Sequence, residues 1–261
     1  MPRLDSELVA RGLARSRERA KEMIISGSIS VNGKSMKKPS DEVSETDEIV
    51  SVESDIYVGR GALKLEKAAE EFELDFNGRV CLDIGASTGG FTDYMLQHGA
   101  EKVYAVDVGH DQLAESLVSD PRVISMEGTD IRSVTTDDIG GQADFISVDV
   151  SFISLNKILP KVYELLADGA SAAVLIKPQF EAGRSDIGKH GIVKERKVHF
   201  RILSEIDSFA VSIGFITEKY TYSPVKGGSG NIEYLVKLRK VTGEPVMHDF
   251  KELVNSSFSK L

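Results

Sequence analysis

Five short apolar runs constrain this chain more than any other feature: Val80–Ile84, Lys102–Val106, Arg122–Ser125, Ala143–Val148 and Ser171–Ile176. Near-continuous apolar runs of this length, bounded by polar or glycine-rich segments, mark strands buried on both faces of a parallel sheet covered by helices. The longest intervening segments, near 88–98 and 154–167, are long enough for crossover helices. Residues 231–239 predict a further strand. If it runs antiparallel to the others, its first residues fall at the carboxyl ends of the parallel strands, where such sheets bind ligands. The residues that close each run are therefore the ones to inspect.

The first run leads into Leu82-Asp83-Ile84-Gly85-Ala86-Ser87-Thr88-Gly89-Gly90-Phe91-Thr92. Glycines here let the backbone approach a ligand closely before a helix begins. Ser87 stands where a dinucleotide fingerprint has its middle glycine, and no Gly-Lys-Ser/Thr follows, which argues against a nicotinamide cofactor and excludes a Walker loop. Asp107 ends the second strand about twenty residues on, where a carboxylate accepts the hydroxyls of a ribose. Asp130 follows the third strand in position to accept from an adenine amino group. Singly each acid reads as a cap or surface residue; together Asp83, Asp107 and Asp130 predict a nucleoside site.

Four further residues carry candidate chemistry. Asp149 and Lys177 close the fourth and fifth strands, Glu233 opens the 231–239 segment, and Lys64 arrives from a helix before the first strand. A lysine ending a strand is ordinarily a solvated side chain, but Pro178 fixes the backbone directly after Lys177. The loop 179–191 follows that lysine, and in it Phe180 is placed to stack a base and Arg184 or Lys189 to meet phosphate. The lone Cys81 excludes an internal disulfide and a multi-cysteine zinc site, and the five histidines lack ligand spacing, so no metal is expected.

The net charge of −9 argues against nucleic acid until its distribution is considered. Residues 1–38 hold nine Lys/Arg against four Asp/Glu, a net +5, so an acidic remainder of −14 carries a basic head. The head reads as a helix over 3–10, a second helix starting near Ser16 with Ala20, Met23 and Ile24 on its buried face, a stop at Gly27, and a hairpin turning at Asn32-Gly33. Arg15, Arg17, Arg19 and Lys21 then form a cationic ridge suited to phosphates. On charge alone a merely solvated helix is the commoner outcome.

The wording Arg3-Leu4-Asp5, Leu8, Arg11-Gly12-Leu13, Ala14-Arg15-Ser16-Arg17, Ala20, Ile25, Gly27 and Val31-Asn32-Gly33 closely resembles the S4 RNA-binding domain. That resemblance implies binding to structured RNA, with Arg3, Arg11, Arg15, Arg17, Arg19, Lys21 and Arg60 as expected contacts beside Phe180 and Arg184. The acidic stretch Asp41–Glu53 and Gly59-Arg60-Gly61 then look like the end of this module and a joint. The motifs of the larger part resemble the S-adenosylmethionine site of Rossmann-like class I methyltransferases. The expected cofactor residues are Asp83, Gly85, Ala86, Ser87, Gly89, Gly90, Phe91, Asp107 and Asp130. Lys64, Asp149, Lys177 and Glu233 resemble the catalytic tetrad of FtsJ/RrmJ-type ribose 2'-O-methyltransferases.

Combined, the two parts resemble the TlyA family of ribosomal RNA methyltransferases, also called hemolysin A-like. The family implies methyl transfer from S-adenosylmethionine to a cytidine 2'-hydroxyl in ribosomal RNA or ribosomal subunits. The expected organisation is an α+β S4-like module at 1–54, a linker at 55–61 and an α/β domain at 62–261, with a mostly parallel sheet and an antiparallel C-terminal hairpin. Asp5 and Glu7 interrupt any apolar leader, and no run approaches the ~18 residues of a membrane helix, so a cytoplasmic location without membrane contact is expected. The rival expectations are a non-enzymatic RNA-binding or assembly protein, and a membrane-active hemolysin.

Overall fold

The structure, a computed structural model, describes residues 2–14, 16–25, 28–36, 38–51, 57–228 and 230–261. They form two compact units, Met1–Arg60 and Gly61–Leu261. In the first unit α1 (Leu4–Ala10) and α2 (Arg17–Ile25) precede β1 (Ile29–Val31), β2 (Lys34–Ser35) and β3 (Ile49–Ser51), with sheet order β2-β1-β3. Leu4, Leu8, Ala20, Met23, Ile24 and Ile29 are fully enclosed in its core. Asn32 and Gly33 both take positive φ, 50° and 76°, the backbone that a two-residue hairpin matched to strand twist requires.

The acidic stretch is more than the module's end, because β3 pairs antiparallel with β1, Ile29 opposite Ser51. Gly27, expected to stop α2, lies outside the described residues, as do residues 52–56.

The second unit starts with α3 (Ala62–Phe72) and continues through β4 (Val80–Ile84), α4 (Gly90–Gln97), β5 (Lys102–Asp107), the short α5 (Glu115–Val118), β6 (Val123–Glu127), β7 (Ala143–Val148), α6 (Leu159–Leu165) and β8 (Leu166–Ile176). It ends with α7 (Pro178–Glu181), α8 (Arg196–Ser212), β9 (Ile216–Tyr222), β10 (Tyr234–Arg239) and α9 (Phe250–Lys260). The sheet order is β6-β5-β4-β7-β8-β10-β9; the first five are parallel, and β10 runs antiparallel to β8 and β9.

Strand order reverses between β4 and β7, so a crevice opens at their carboxyl ends. β8 begins five residues before the apolar run, and Asp168 and Gly169 interrupt its first half, which is why composition hides its start.

Two lysines fix the far end of α3. Lys219 Nζ donates to the Glu71 carbonyl at 3.2 Å and Lys237 Nζ to that of Phe72 at 3.1 Å, satisfying carbonyls that the last turn leaves free. The helix is thereby tied to β9 and β10, and Lys64 in its first turn is held over the sheet edge.

Candidate active site

Backbone register brings the four tetrad residues together. Asp149 follows β7 and Lys177 follows β8, while Tyr234 pairs with Ile176, so Glu233 and Lys177 flank that pair at the same edge. Lys64 Nζ lies 2.8 Å from Glu233 Oε2 and 3.4 Å from Asp149 Oδ2. Lys177 Nζ lies 2.5 Å from Asp149 Oδ1 and 2.9 Å from Ser151 Oγ. The charges therefore alternate, Glu233–Lys64–Asp149–Lys177, two of each sign. Lys64, Lys177 and Glu233 are each less than 10% exposed, and at that depth an unpaired charge would cost several kcal/mol.

The environment shifts these groups unequally. Burial opposes the Lys64 charge, but Asp149 and Glu233 outweigh it and hold the amine above the ordinary lysine value. Burial likewise opposes ionisation of Asp149, yet Lys64 and Lys177 hold it below the ordinary carboxylate value. The backbone of Gly227 passes directly over Glu233, and a Cβ there would collide with Oε1.

A cavity of about 510 Å³ opens beside the tetrad at the β4/β7 crevice, a size suited to a nucleoside-bearing ligand. Gly85, Ser87, Asp107, Asp130 and Asp149 all line it. Gly85 is required there: its φ is 85°, and a Cβ would sit 2.5 Å from the Asp149 carbonyl oxygen. Asp107 Oδ2 accepts from the Ser87 N–H at 2.8 Å and Oδ1 from the Gly109 N–H at 2.7 Å, which binds the two loops that flank the cavity. Asp130 is paired with Arg132 at 2.5 Å, and this cation holds the carboxyl below its usual range.

Five expected cofactor residues are not among those lining the cavity: Asp83, Ala86, Gly89, Gly90 and Phe91. Asp83 is fully enclosed, accepting from Thr92 Oγ1 at 2.7 Å and Ser147 Oγ at 2.9 Å. Gly89, φ 94°, makes room for Leu117, whose methyl group a Cβ would strike. Ala86, Gly89, Gly90 and Phe91 are buried as well.

The segment after Lys177 is less open than its composition suggests. Pro178 starts α7, a position where its missing N–H is no loss, and Glu181 anchors the helix by accepting from the Leu155 N–H at 2.9 Å and Ser154 Oγ at 2.7 Å. Phe180 thereby meets Phe152, ring centroids 4.9 Å apart, with its own ring 5.9 Å from Lys177 Nζ. Phe152 is 91% exposed and has φ 63°, an uncommon backbone for a bulky residue. Arg184 and Lys189 are exposed. Sequence reasoning missed Ser151, Phe152, Gln112 and Arg132 at this site; the signal for the first two was their adjacency to Asp149 and for Arg132 its closeness to Asp130, which caps the short 3-10 turn Ile131–Ser133, whereas Gln112 sits in a loop without pattern.

In the N-terminal unit several expected RNA contacts have internal partners. Arg3 and Arg17 converge on the enclosed Asp5 at 2.9 and 3.3 Å, which keeps that carboxyl well below its usual range while leaving each guanidinium about half exposed. Arg11 pairs with Glu7 at 2.8 Å and donates to the carbonyls of Ser44, Glu45 and Asp47, so it holds a loop to α1. Lys21 is half-buried and Arg60 exposed. Arg15 lies outside the described residues, and Arg19 is described only as a position of α2. Among the described residues no helix is long and apolar enough to cross a membrane, and no group of His, Cys, Asp or Glu has metal-ligand geometry.

A mostly parallel seven-stranded sheet closed by an antiparallel hairpin, with this Lys-Asp-Lys-Glu chain beside a nucleoside-sized crevice, defines a Rossmann-like methyltransferase. The FtsJ-like methyltransferase family matches residues 57–240 and the S4 domain matches residues 2–49. The chain belongs to the FtsJ-like methyltransferase family, with an S4 domain at its N-terminus, and it is an enzyme.

A Mycobacterium tuberculosis relative named 16S/23S rRNA (cytidine-2'-O)-methyltransferase TlyA is 43% identical over 242 residues, 92% of this chain and 90% of that protein. A solved structure from Streptococcus thermophilus that bears a hemolysin name is 43% identical with a TM-score of 0.80, covering 99% of this chain and 96% of that one. A Listeria monocytogenes structure described as an S-adenosylmethionine dependent methyltransferase shares the fold at 19% identity, TM-score 0.52, over 70% of this chain and 99% of that one.

Proposed function

We propose that this enzyme methylates the ribose 2'-hydroxyl of a cytidine in ribosomal RNA, using S-adenosylmethionine. The observation that carries the reading is the Glu233–Lys64–Asp149–Lys177 chain, whose Asp149 lines the cavity. The TlyA name of the Mycobacterium tuberculosis relative supports the cytidine and the ribosomal substrate. In this reading residues 1–54 bind RNA through Arg3, Arg15, Arg17, Arg19 and Lys21, residues 55–61 link, and residues 62–261 carry the chemistry.

The cavity residues fit the cofactor. Gly85 leaves the space a Cβ would fill, and Asp107, with one N–H on each oxygen, keeps lone pairs for ribose hydroxyls. Asp130, which lines the cavity and pairs with Arg132, would accept from the adenine amino group. When bound, the cofactor supplies an electrophilic methyl group.

The residues of this chain then have one task, to prepare the nucleophile. A ribose hydroxyl attacks poorly until its proton is removed, and in-line alignment does most of the rest. Lys64 bridges two carboxylates and keeps its charge. Lys177 shares Asp149 with it and otherwise meets the neutral Ser151 hydroxyl and the Phe180 ring, so it is the amine with one carboxylate partner against two for Lys64. Lys177 serves as the base after releasing its own proton to solvent: the neutral amine takes the 2'-hydroxyl proton and becomes again the ammonium that pairs with Asp149. Phe152 and Phe180 give the target base an apolar face.

Incubating the protein with labelled S-adenosylmethionine and separated ribosomal subunits tests this directly. Label is expected in ribosomal RNA, as a 2'-O-methyl group on a cytidine. Label on a base, or none in RNA, contradicts the proposal.

A further inference from the structure

The Lys177 amine has a second neighbour to which the reading above gives no role in catalysis. Its Nζ lies 2.9 Å from Ser151 Oγ, besides the Asp149 contact. An amine nitrogen has three tetrahedral corners beyond its carbon. With Asp149 on one and Ser151 on another, rotation about the Cε–Nζ bond is fixed and a single corner stays free.

Ser151 is held where it can do this. The chain leaves β7 through Asp149 and Val150, pressed against Gly85, and turns sharply at Phe152. Ser151 is exposed and lines the cavity with Asp149 and Phe152, so its hydroxyl meets the amine at the cavity's edge.

We propose that Ser151 is a positioning residue for methyl transfer: its hydroxyl orients the Lys177 amine so that the free corner faces the ribose 2'-hydroxyl. This rests on Lys177 acting as the base and adds to it the group that aims it. Asp149 alone constrains one corner and leaves the amine free to swivel about that contact; a second, neutral partner removes the swivel without adding charge. A carboxylate in the same place would hold the proton on Lys177, whereas a neutral hydroxyl accepts an N–H from the ammonium and from the free amine alike, which leaves the lone pair at the open corner.

The test is single-turnover methylation of ribosomal RNA by full-length wild type, Ser151→Ala, Ser151→Thr, Lys177→Ala and the Ser151→Ala/Lys177→Ala pair, with cofactor affinity measured by calorimetry on each. Ser151→Ala is expected to slow transfer on the order of 10- to 100-fold, the range for removing a hydrogen bond to a charged group. Its cofactor affinity should stay at wild type. Ser151→Thr keeps the hydroxyl, has solvent to receive its extra methyl, and should restore the rate to within a few-fold. The paired variant should be no slower than Lys177→Ala alone.

A wild-type rate for Ser151→Ala, beside an inactive Lys177→Ala, overturns the Ser151 role and leaves the base standing. Loss of cofactor affinity in step with rate overturns it too, because Ser151 then binds the cofactor. An active Lys177→Ala enzyme removes the base itself, and the orientation role with it.

Discussion

The Asp83 carboxyl is enclosed, and burial raises its pKa to about 6 from 3.8 although Thr92 and Ser147 both donate to it. It was expected to meet the cofactor, but successive strand residues face opposite sides of a sheet, and Asp83, one residue before the end of β4, meets Thr92 of α4. The shift has a sign that can be measured. The folded chain keeps the Asp83 proton up to about pH 6 and the unfolded chain releases it near 3.8, so ionisation costs folded stability as pH rises through that window. Asp83→Asn should therefore gain on wild type by on the order of 2–3 kcal/mol between pH 4 and pH 7, as read by urea unfolding at the two values. A stability difference that does not change with pH would show that Asp83 is not the titrating group.

The strands most legible in the sequence were those with unbroken apolar runs: Val80–Ile84 and Ala143–Val148 have the bounds their composition implied. β3 was hidden, since three residues in an acidic stretch carry no alternation, and it exists because β1 offers a free edge. α7 was hidden behind a proline that reads as a breaker but serves as a first helical residue. For the site, strand ends located Asp149 and Lys177, whereas the Lys64–Glu233 contact depends on a helix and a loop meeting, which no local pattern encodes. Gly227 belongs to that loop. Its φ is not in the left-handed region, so only the contact with Glu233 forbids a side chain. Gly227→Ala should displace Glu233 from Lys64 and slow transfer by up to about 100-fold, because small misplacements at a reacting centre are that costly. Calorimetry should find cofactor affinity retained; a variant as fast as wild type would mean that Glu233 needs no such cover.

At the scale of the whole molecule, each unit has its own enclosed core, one around Leu4, Met23 and Ile29, the other around the seven-stranded sheet. Deleting residues 1–60 should leave cofactor affinity unchanged while removing most affinity for ribosomal RNA. The salt dependence should shrink by about 0.7–0.9 in logarithmic slope for each phosphate that the deletion leaves without its cation. Equal RNA affinity in the truncated chain would reassign RNA binding to the larger unit. Binding and chemistry should also separate within the full chain. The most direct measurement compares single-turnover methylation of ribosomal RNA by wild type and Lys177→Arg, with cofactor and RNA affinities measured on the same preparations. Arginine retains the positive charge beside Asp149 but does not give up its proton in a protein. Lys177→Arg is expected to bind both ligands as wild type does and to transfer no methyl group; transfer at the wild-type rate would leave Lys177 as a fixed charge and give the proton to another acceptor.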